Sequence, residues 1–246
     1  DGITKTGTYT VSGTESGALV EYSTDGTTWT TTAPTAVEGA NTIQVRQTDV
    51  AGNVSAPATL AFTLDTTASL TVSLADVNAT NAAAAALTGT TSDIEAGRTV
   101  TLVVSDGDPA TADVTVTATL GADGSYSTTA DLSALSDGTL TVTASVTDAA
   151  GNSASATDTA ALETTIASPS IRLDADTGAS ATDSITKSGT YTVTGTEPGA
   201  LVEYSTDGVS WTTTAPTAVE GANTIQVRQT DVAGNVSAPA TLTFTL

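Results

Sequence analysis

The chain has 246 residues and carries 27 acidic against 6 basic side chains, a formal net charge of −21, with neither cysteine nor histidine. These numbers exclude a disulfide framework and disfavour both a structural zinc site, whose usual ligands are missing, and nucleic-acid binding, which needs clustered basic residues. An acidic excess of this size repels itself in a compact state, so it indicates either bound cations with oxygen ligands or a solvated acidic surface.

The first 66 residues alternate apolar and polar side chains with a period of two, which predicts half-buried strands separated by turns. In one of these stretches Ile43 and Val45 point to one face while Gln44 and Arg46 point to the other, so one face is core and the other solvent. The predicted strands are Tyr9–Gly13, Ala18–Ser23, Asn41–Thr48 and Ala58–Leu64.

The next hundred residues keep the same plan with a different sequence. The predicted strands are Leu70–Leu74, Ala84–Gly89, Thr99–Ser105, Asp113–Leu120, Ser125–Leu132 and Leu140–Asp148. The alanine run Ala82–Ala86 is too short between its asparagine and glycine neighbours for a stable helix, so we interpret it as the edge of a strand. This run is also the longest apolar stretch, and it is too short to span a membrane.

Residues 183–246 repeat residues 1–64 with seven differences in 64 positions, none of which changes a charge. We therefore predict three modules: residues 1–66, residues 67–166 and residues 167–246. The third module adds the segment Ser170–Leu173, so the first module lacks its first strand. Copying a whole folding unit favours reach or valency over a single catalytic centre. We expect no enzyme, since histidine, cysteine and a Gly-x-Ser-x-Gly elbow are missing.

Three sequence segments are similar to those of a known family of repeats. They are residues 13–26, 45–55 and 146–152, and the motif Thr-Asp-x-Ala-Gly-Asn occurs three times in the chain. The chain resembles the bacterial immunoglobulin-like (Ig-like) repeats that form the extender regions of giant RTX-type and biofilm-associated surface adhesins. The resemblance implies an all-β chain of three tandem Ig-like β-sandwich domains in an elongated array. It also implies a secreted, monomeric cell-surface stalk for adhesion and biofilm formation, whose linkers are rigidified by calcium and whose partners are neighbouring repeats.

In an Ig-like topology, the loop after the second strand and the loop before the last strand lie at the end where the preceding linker enters. One linker acid, one glutamate before a glycine and the aspartate of the Ala-Gly-Asn turn would then converge, and their oxygens suit calcium. The predicted sites are Asp65, Glu95 and Asp148 at the first junction, Glu163, Glu197 and Asp231 at the second, and an incomplete copy formed by Glu15 and Asp49.

Other interpretations stay open. The Asp-x-Ala-Gly-Asn motif is also an ordinary β-turn sequence, in which the aspartate bonds its own backbone. A further acidic cluster, Asp174, Asp176 and Asp183 with Asp1 as the copy of Asp183, loosely resembles a calcium loop without EF-hand spacing. Trp29 and Trp211 would fill the core or form a sugar-stacking platform. The alternative function is a module that itself binds a glycan or a host protein.

Overall fold

A computed structural model describes residues 2–246 and is built from short strands, turns and one 3-10 turn. Every strand pairing lies within one of the three predicted modules. The first module contains β1 (Ile3–Thr4), β2 (Leu19–Ser23), β3 (Gly39–Thr48) and β4 (Ala58–Leu64), which form one sheet in the order β1-β4-β3-β2. β1 runs parallel to β4, and the other pairs are antiparallel.

The second module is a complete sandwich. Its strands are β5 (Ser69–Leu70), β6 (Ser73–Leu74), β7 (Val77–Asn78), β8 (Ala85–Ser92), β9 (Thr99–Ser105), β10 (Val114–Thr119), β11 (Ser125–Ala130), β12 (Gly138–Thr147) and β13 (Ser153–Glu163). One sheet has the order β10-β9-β12-β13-β7, and the other has the order β11-β8-β5 with β6 also paired to β8. Alternate residues of both sheets, including Leu87, Leu102, Leu140 and Val142, are fully buried between them.

The third module contains β14 (Ser170–Leu173), β15 (Tyr191–Thr194), β16 (Leu201–Ser205), β17 (Ala222–Thr230) and β18 (Ala240–Thr245). β14 pairs with β15, and β16-β17-β18 form a second sheet. The isolated parallel bridge between Ile185 and Thr245 repeats the β1–β4 pairing of the first module. The predicted all-β fold of tandem Ig-like sandwiches is confirmed.

Two local predictions were wrong, and one strand was not predicted. Residues Ala82–Ala84 form a 3-10 turn before β8 begins, because the asparagine-rich segment ahead of them closes a turn through the Asn81 carbonyl. Residues 9–13 form no strand, because the neighbouring strand that pairs with this sequence in the third module has no counterpart among residues 2–64. β13 was not predicted because its inward-facing residues are mostly alanine, which differs little in hydrophobicity from the polar residues between them.

No helix among residues 2–246 has the length and apolar character needed to cross a membrane.

Candidate metal centre

Three acids meet where the second module joins the third. Glu163 is the last residue of β13, Glu197 lies in the loop between β15 and β16, and Asp231 directly follows β17. One carboxylate oxygen from each lies within 4.8 Å of the others, and the three residues are half-buried. Within residues 2–246 this is the one group of three acids that meets this distance criterion. We call it the junction triad.

Asp231 is held by the turn that follows it. The Asn235 backbone amide donates to Asp231 Oδ1 at 2.7 Å, and Asn235 Nδ2 donates to Asp231 Oδ2 at 2.8 Å. Gly234 closes the turn with φ of 91°, a left-handed conformation that suits glycine. Each carboxylate oxygen has a second lone-pair site, so Asp231 retains capacity for a further ligand.

The same asparagine fastens the turn to the preceding module. Asn235 Nδ2 also donates to the backbone carbonyl of Glu163 at 2.7 Å, while its Oδ1 accepts from the Ala79 amide at 2.9 Å. Asn235 is only 5% exposed. The side chain therefore binds the linker directly, a role that sequence reasoning missed although the asparagine recurs in all three motifs.

Glu197 is positioned by a buried glutamine. The Glu197 amide donates to Gln229 Oε1 at 2.8 Å, and Gln229 Nε2 donates to the linker carbonyl of Ala167 at 2.8 Å. Gln229 is fully buried. The sequence contains one sign of this role. A glutamine stands two residues before the aspartate of the Asp-x-Ala-Gly-Asn motif in both the first and the third module, as Gln47 and Gln229.

The electrostatics of the junction triad disfavour the state in which all three carboxylates are ionised with no cation beside them. Burial raises the pKa of Glu163 above its ordinary value, and the charges of Asp231, Glu197 and Asp137 raise it further. Asp137 accepts hydrogen bonds from the Thr164 amide and hydroxyl, so a fourth acid borders the linker. An oxygen-only donor set with an unbalanced negative charge fits a hard divalent cation such as calcium.

The first junction is arranged differently. Glu95 Oε2 accepts from the Ala149 amide at 2.9 Å and pairs with Arg98 at 3.4 Å, so a cation of the chain itself already lies beside it. Asn152 Nδ2 donates to the Asp65 carbonyl at 2.8 Å, which repeats the linker contact of Asn235. The structure thus joins the same elements, but Asp65, Glu95 and Asp148 do not form a group of three carboxylates like the junction triad.

Asp148 itself is buried at 3% exposure. Burial acts to raise the pKa of Asp148, but hydrogen bonds from Asn152 and from the amides of the turn outweigh it and leave the pKa lowered. The position that corresponds to Gln229 is Val146, which cannot tie the glutamate loop to the linker. Lys5 instead bridges the modules by donating to the Gly151 carbonyl at 2.9 Å.

Glu15 and Asp49 repeat the second junction without its linker acid. The Glu15 amide donates to Gln47 Oε1 at 2.8 Å. The Asn53 side chain and amide donate to Asp49 and lower its pKa. Residues 2–246 bring no third acid to this pair within the distance of the junction triad.

The other predicted acidic cluster is held by hydrogen bonds of its own loop. Thr192 donates to Asp174, the Ser184 amide donates to Asp176 Oδ2 at 3.0 Å, and the Ile185 amide donates to Asp183 Oδ1 at 3.1 Å. Asp1, named with this cluster, lies outside the described residues. The metal role of Asp174, Asp176 and Asp183 stays a prediction.

The tryptophans lie outside the core, which corrects their interpretation as core fillers. The Arg46 guanidinium stacks over Trp29 at 4.1 Å and bonds Glu21 at 3.0 Å, and Arg228 stacks over Trp211 at 4.2 Å. These side chains share the sheet face opposite Ile43 and Val45 because side chains alternate along β3. The arginine covers one face of each ring, and the sugar-stacking interpretation stays a prediction.

Comparisons with known proteins agree with this fold. The family model for the bacterial Ig-like domain matches residues 4–66 and 69–166, well over half of the chain. No curated protein sequence matches it. Among solved structures, the chain is similar to a tetra-tandem repeat from the extending region of a large adhesion protein, at 24% identity over 92% of this chain and 66% of that one, with a TM-score of 0.41.

It is also similar to part of a 1.5-MDa bacterial ice-binding adhesin, at 19% identity over 93% of this chain and 85% of that one, with a TM-score of 0.46. A bacterial immunoglobulin-like domain from the M. primoryensis ice-binding adhesin matches at 29% identity over 39% of this chain and 96% of that one, with a TM-score of 0.28. The sequence repeat extends the family match to the third module. This chain therefore belongs to the bacterial Ig-like domain family.

Proposed function

We propose that this chain is an extender segment of a secreted bacterial surface adhesin, in which calcium bound at a linker holds successive Ig-like modules in one mutual orientation. The observation that carries the proposal is the junction triad, because its acids come from both sides of the second linker. The proposal includes a monomeric stalk that supports adhesion and biofilm formation and has no catalytic role.

The chain's own residues supply most of the junction. Asn235 and Gln229 bind the linker carbonyls of Glu163 and Ala167, so the linker path is set by neutral hydrogen bonds. The three carboxylates then repel one another across this path, as the raised pKa of Glu163 reflects. A bound calcium ion would replace that repulsion with attraction to all three acids.

This division of roles predicts a mechanical switch. With calcium, Glu163 on one module and Glu197 and Asp231 on the next share a ligand, so bending the linker would break metal–oxygen bonds. Without calcium, the same acids favour separation of the modules, and hydrogen bonds across the junction oppose it: those of Asn235 to the Glu163 carbonyl and the Ala79 amide, and that of Asn78 to the Ala233 carbonyl. The repeat of a module with half of such a junction would lengthen the stalk while keeping it stiff.

The test is calorimetric titration of calcium together with small-angle scattering in calcium and in chelator. We expect binding, and a narrower distribution of interatomic distances in calcium. The variant Glu163→Gln should weaken binding by at least about tenfold, since affinity follows the charge of the ligand set. The matched control is Glu15→Gln, which removes the copy of Glu197 that has no linker acid beside it.

Equal binding by the two variants would contradict the assignment of the metal to the junction triad. Scattering that is identical in calcium and chelator would contradict the rigidifying role even if calcium binds. A parallel titration with magnesium separates the two cations, and we expect the weaker binding for magnesium because it demands a tighter octahedral site.

A further inference from the structure

The two junctions share one motif but differ in their basic side chains. At the first junction, Arg98 Nε lies 3.4 Å from Glu95 Oε2, and Lys5 Nζ donates to the Gly151 carbonyl of the next module at 2.9 Å. Among residues 2–246, no lysine or arginine forms an ion pair with an acid of the junction triad. The chain has only six basic residues, so two of them at one linker set that linker apart.

Arg98 is peculiar to the second module. It stands where the first and third modules have alanine, at Ala18 and Ala200, three residues after the glutamate in each case. The turn itself is the same in all three: the Arg98 amide donates to the Glu95 carbonyl at 3.4 Å, and the amides of both alanines donate to their own glutamate carbonyls at 3.2 Å. The arginine is therefore not needed to form the turn, and its side chain adds a positive charge beside the glutamate.

Lys5 is the charged counterpart of Asn78. The parallel pairings of β1 with β4 and of β7 with β13 give these two residues the same register, opposite the linker acid of their own module. Both side chains reach the Ala-Gly-Asn turn of the next module, since Lys5 donates to the Gly151 carbonyl and Asn78 Nδ2 donates to the Ala233 carbonyl. The same contact is made by a cation at the first junction and by a neutral amide at the second.

The positive charges at the first junction oppose a bound metal ion. Affinity for calcium follows the negative charge of the ligand set. The guanidinium of Arg98 offsets the charge of Glu95 and shares Glu95 Oε2 with the Ala149 amide, which donates to it at 2.9 Å. The Asp65 carboxylate accepts from the Thr67 amide of its own linker at 3.3 Å. A divalent cation entering among these acids would meet a positive charge on one of its ligands, and like charges repel.

We propose that Arg98 and Lys5 take the place of calcium at the first junction, so that the mutual orientation of the first two modules does not depend on calcium. Arg98 balances an acid, and Lys5 ties the first module to the turn of the second. The role of calcium at the second linker rests on the proposed function, whereas the roles of Arg98 and Lys5 are tested by themselves. The chain then combines a linker that responds to calcium with one that keeps its orientation when calcium is scarce.

The first experiment asks whether removal of Arg98 creates a calcium site. Calcium is titrated calorimetrically into the full chain carrying Glu163→Gln, which weakens the junction triad. In this background Arg98→Ala should raise calcium affinity at least about tenfold and add about one bound ion per chain. The further change Glu95→Gln should remove the gain, which locates the new site. Alanine at the equivalent positions Ala18 and Ala200 shows that the turn accepts this residue, and circular dichroism checks folding.

Arg98→Lys is the matched control, because it keeps the positive charge and should gain no site. No gain with Arg98→Ala, an equal gain with Arg98→Lys, or tight calcium binding that involves Glu95 while Arg98 is still present would overturn the proposal. The proposed function is read separately, from the calcium that Glu163→Gln removes from the otherwise native chain. If Glu163→Gln removes none while Arg98→Ala still gains a site, the proposed function fails and this proposal stands. The reverse result overturns this proposal alone.

The second experiment measures the mutual orientation of the modules. The chain lacks cysteine, so introduced cysteines are the only thiols that can carry spin labels. Thr42→Cys with Thr143→Cys spans the first linker, and Thr143→Cys with Thr224→Cys spans the second; all three threonines are exposed, and Thr224 is the copy of Thr42. Double electron–electron resonance gives the distribution of label distances in calcium and in chelator. We expect the distribution across the first linker to be the same in both conditions, while the second pair reports on the proposed function.

Removal of both basic side chains should free the first linker. The double variant Lys5→Met, Arg98→Ala should broaden the first-linker distribution in chelator, and calcium should narrow it again through the site that Arg98→Ala opens. The matched control is Lys187→Met with Arg172→Ala, which removes the same residue types and the same charge from the third module and should leave the first linker unchanged. A first-linker distribution that broadens in chelator in the otherwise native chain, or a double variant that matches its control, would refute the proposal.

Discussion

Asn235→Ala should destabilise the third module far more than Asn53→Ala, the same change at the equivalent position, destabilises the first module. Asn235 makes three side-chain hydrogen bonds, to the Glu163 carbonyl, to the Ala79 amide and to Asp231. Its copy Asn53 is exposed, and among residues 2–246 its side chain bonds only Asp49. The bond to aspartate is common to both, so it cancels in the comparison.

The difference is two intermodule hydrogen bonds at a buried position. A hydrogen bond contributes about 1 kcal/mol net, and more is lost when a buried partner is left without one, so Asn235→Ala should cost about 2 kcal/mol more than Asn53→Ala. For a domain of about 60–100 residues, 1 kcal/mol lowers Tm by about 4–8 °C, so the two variants should differ by roughly 10 °C.

Tryptophan fluorescence can follow each module separately. In a Trp29→Phe background, Trp211 reports the third module, and in a Trp211→Phe background, Trp29 reports the first. Thermal unfolding in chelator removes any contribution of bound metal. Equal losses of Tm for Asn235→Ala and Asn53→Ala would refute the reasoning, since they would show that the intermodule bonds add nothing to stability.

Other parts of the molecule give three further predictions. Because the pKa of Glu163 is raised, the folded chain binds more protons than the unfolded chain as the pH falls from neutral toward the ordinary glutamate pKa. The Tm in chelator should therefore rise as the pH falls through that range. Glu163→Gln should make the Tm less dependent on pH there. Arg228→Ala should cost about 1 kcal/mol and increase quenching of Trp211 by the uncharged quencher acrylamide, and unchanged quenching would contradict the stacked geometry. Gly89→Ala should destabilise the second module by about 2 kcal/mol, because the added Cβ collides with the Thr71 carbonyl and the Tyr126 hydroxyl; an unchanged urea midpoint would count against this close packing.

Alternation of side chains was sufficient to predict most strands. Thr99–Ser105 and Ala58–Leu64 have the bounds that the sequence predicts, because a strand with one buried face repeats every two residues whatever lies across the sheet. Prediction failed at Ser153–Glu163, where alanines give little contrast. It also failed at residues 9–13, where strand formation requires a partner strand that periodicity does not report.

The candidate metal centre was partly accessible from sequence. The recurrence of a linker acid, a glutamate and the aspartate of the turn motif predicted which residues approach each junction. The structure brings Glu163, Glu197 and Asp231 together as such a group. It also reveals Gln229 and Asn235 as the side chains that bind the linker, contacts that depend on the path of a different module.

By itself, the sequence determined the all-β class and the repeated module, and it showed that any cation must be bound by oxygen ligands. These conclusions follow from residue types and their spacing. Tertiary structure decided which acids converge, because Arg98 pairs with Glu95 at one junction while Gln229 anchors the Glu197 loop at the other.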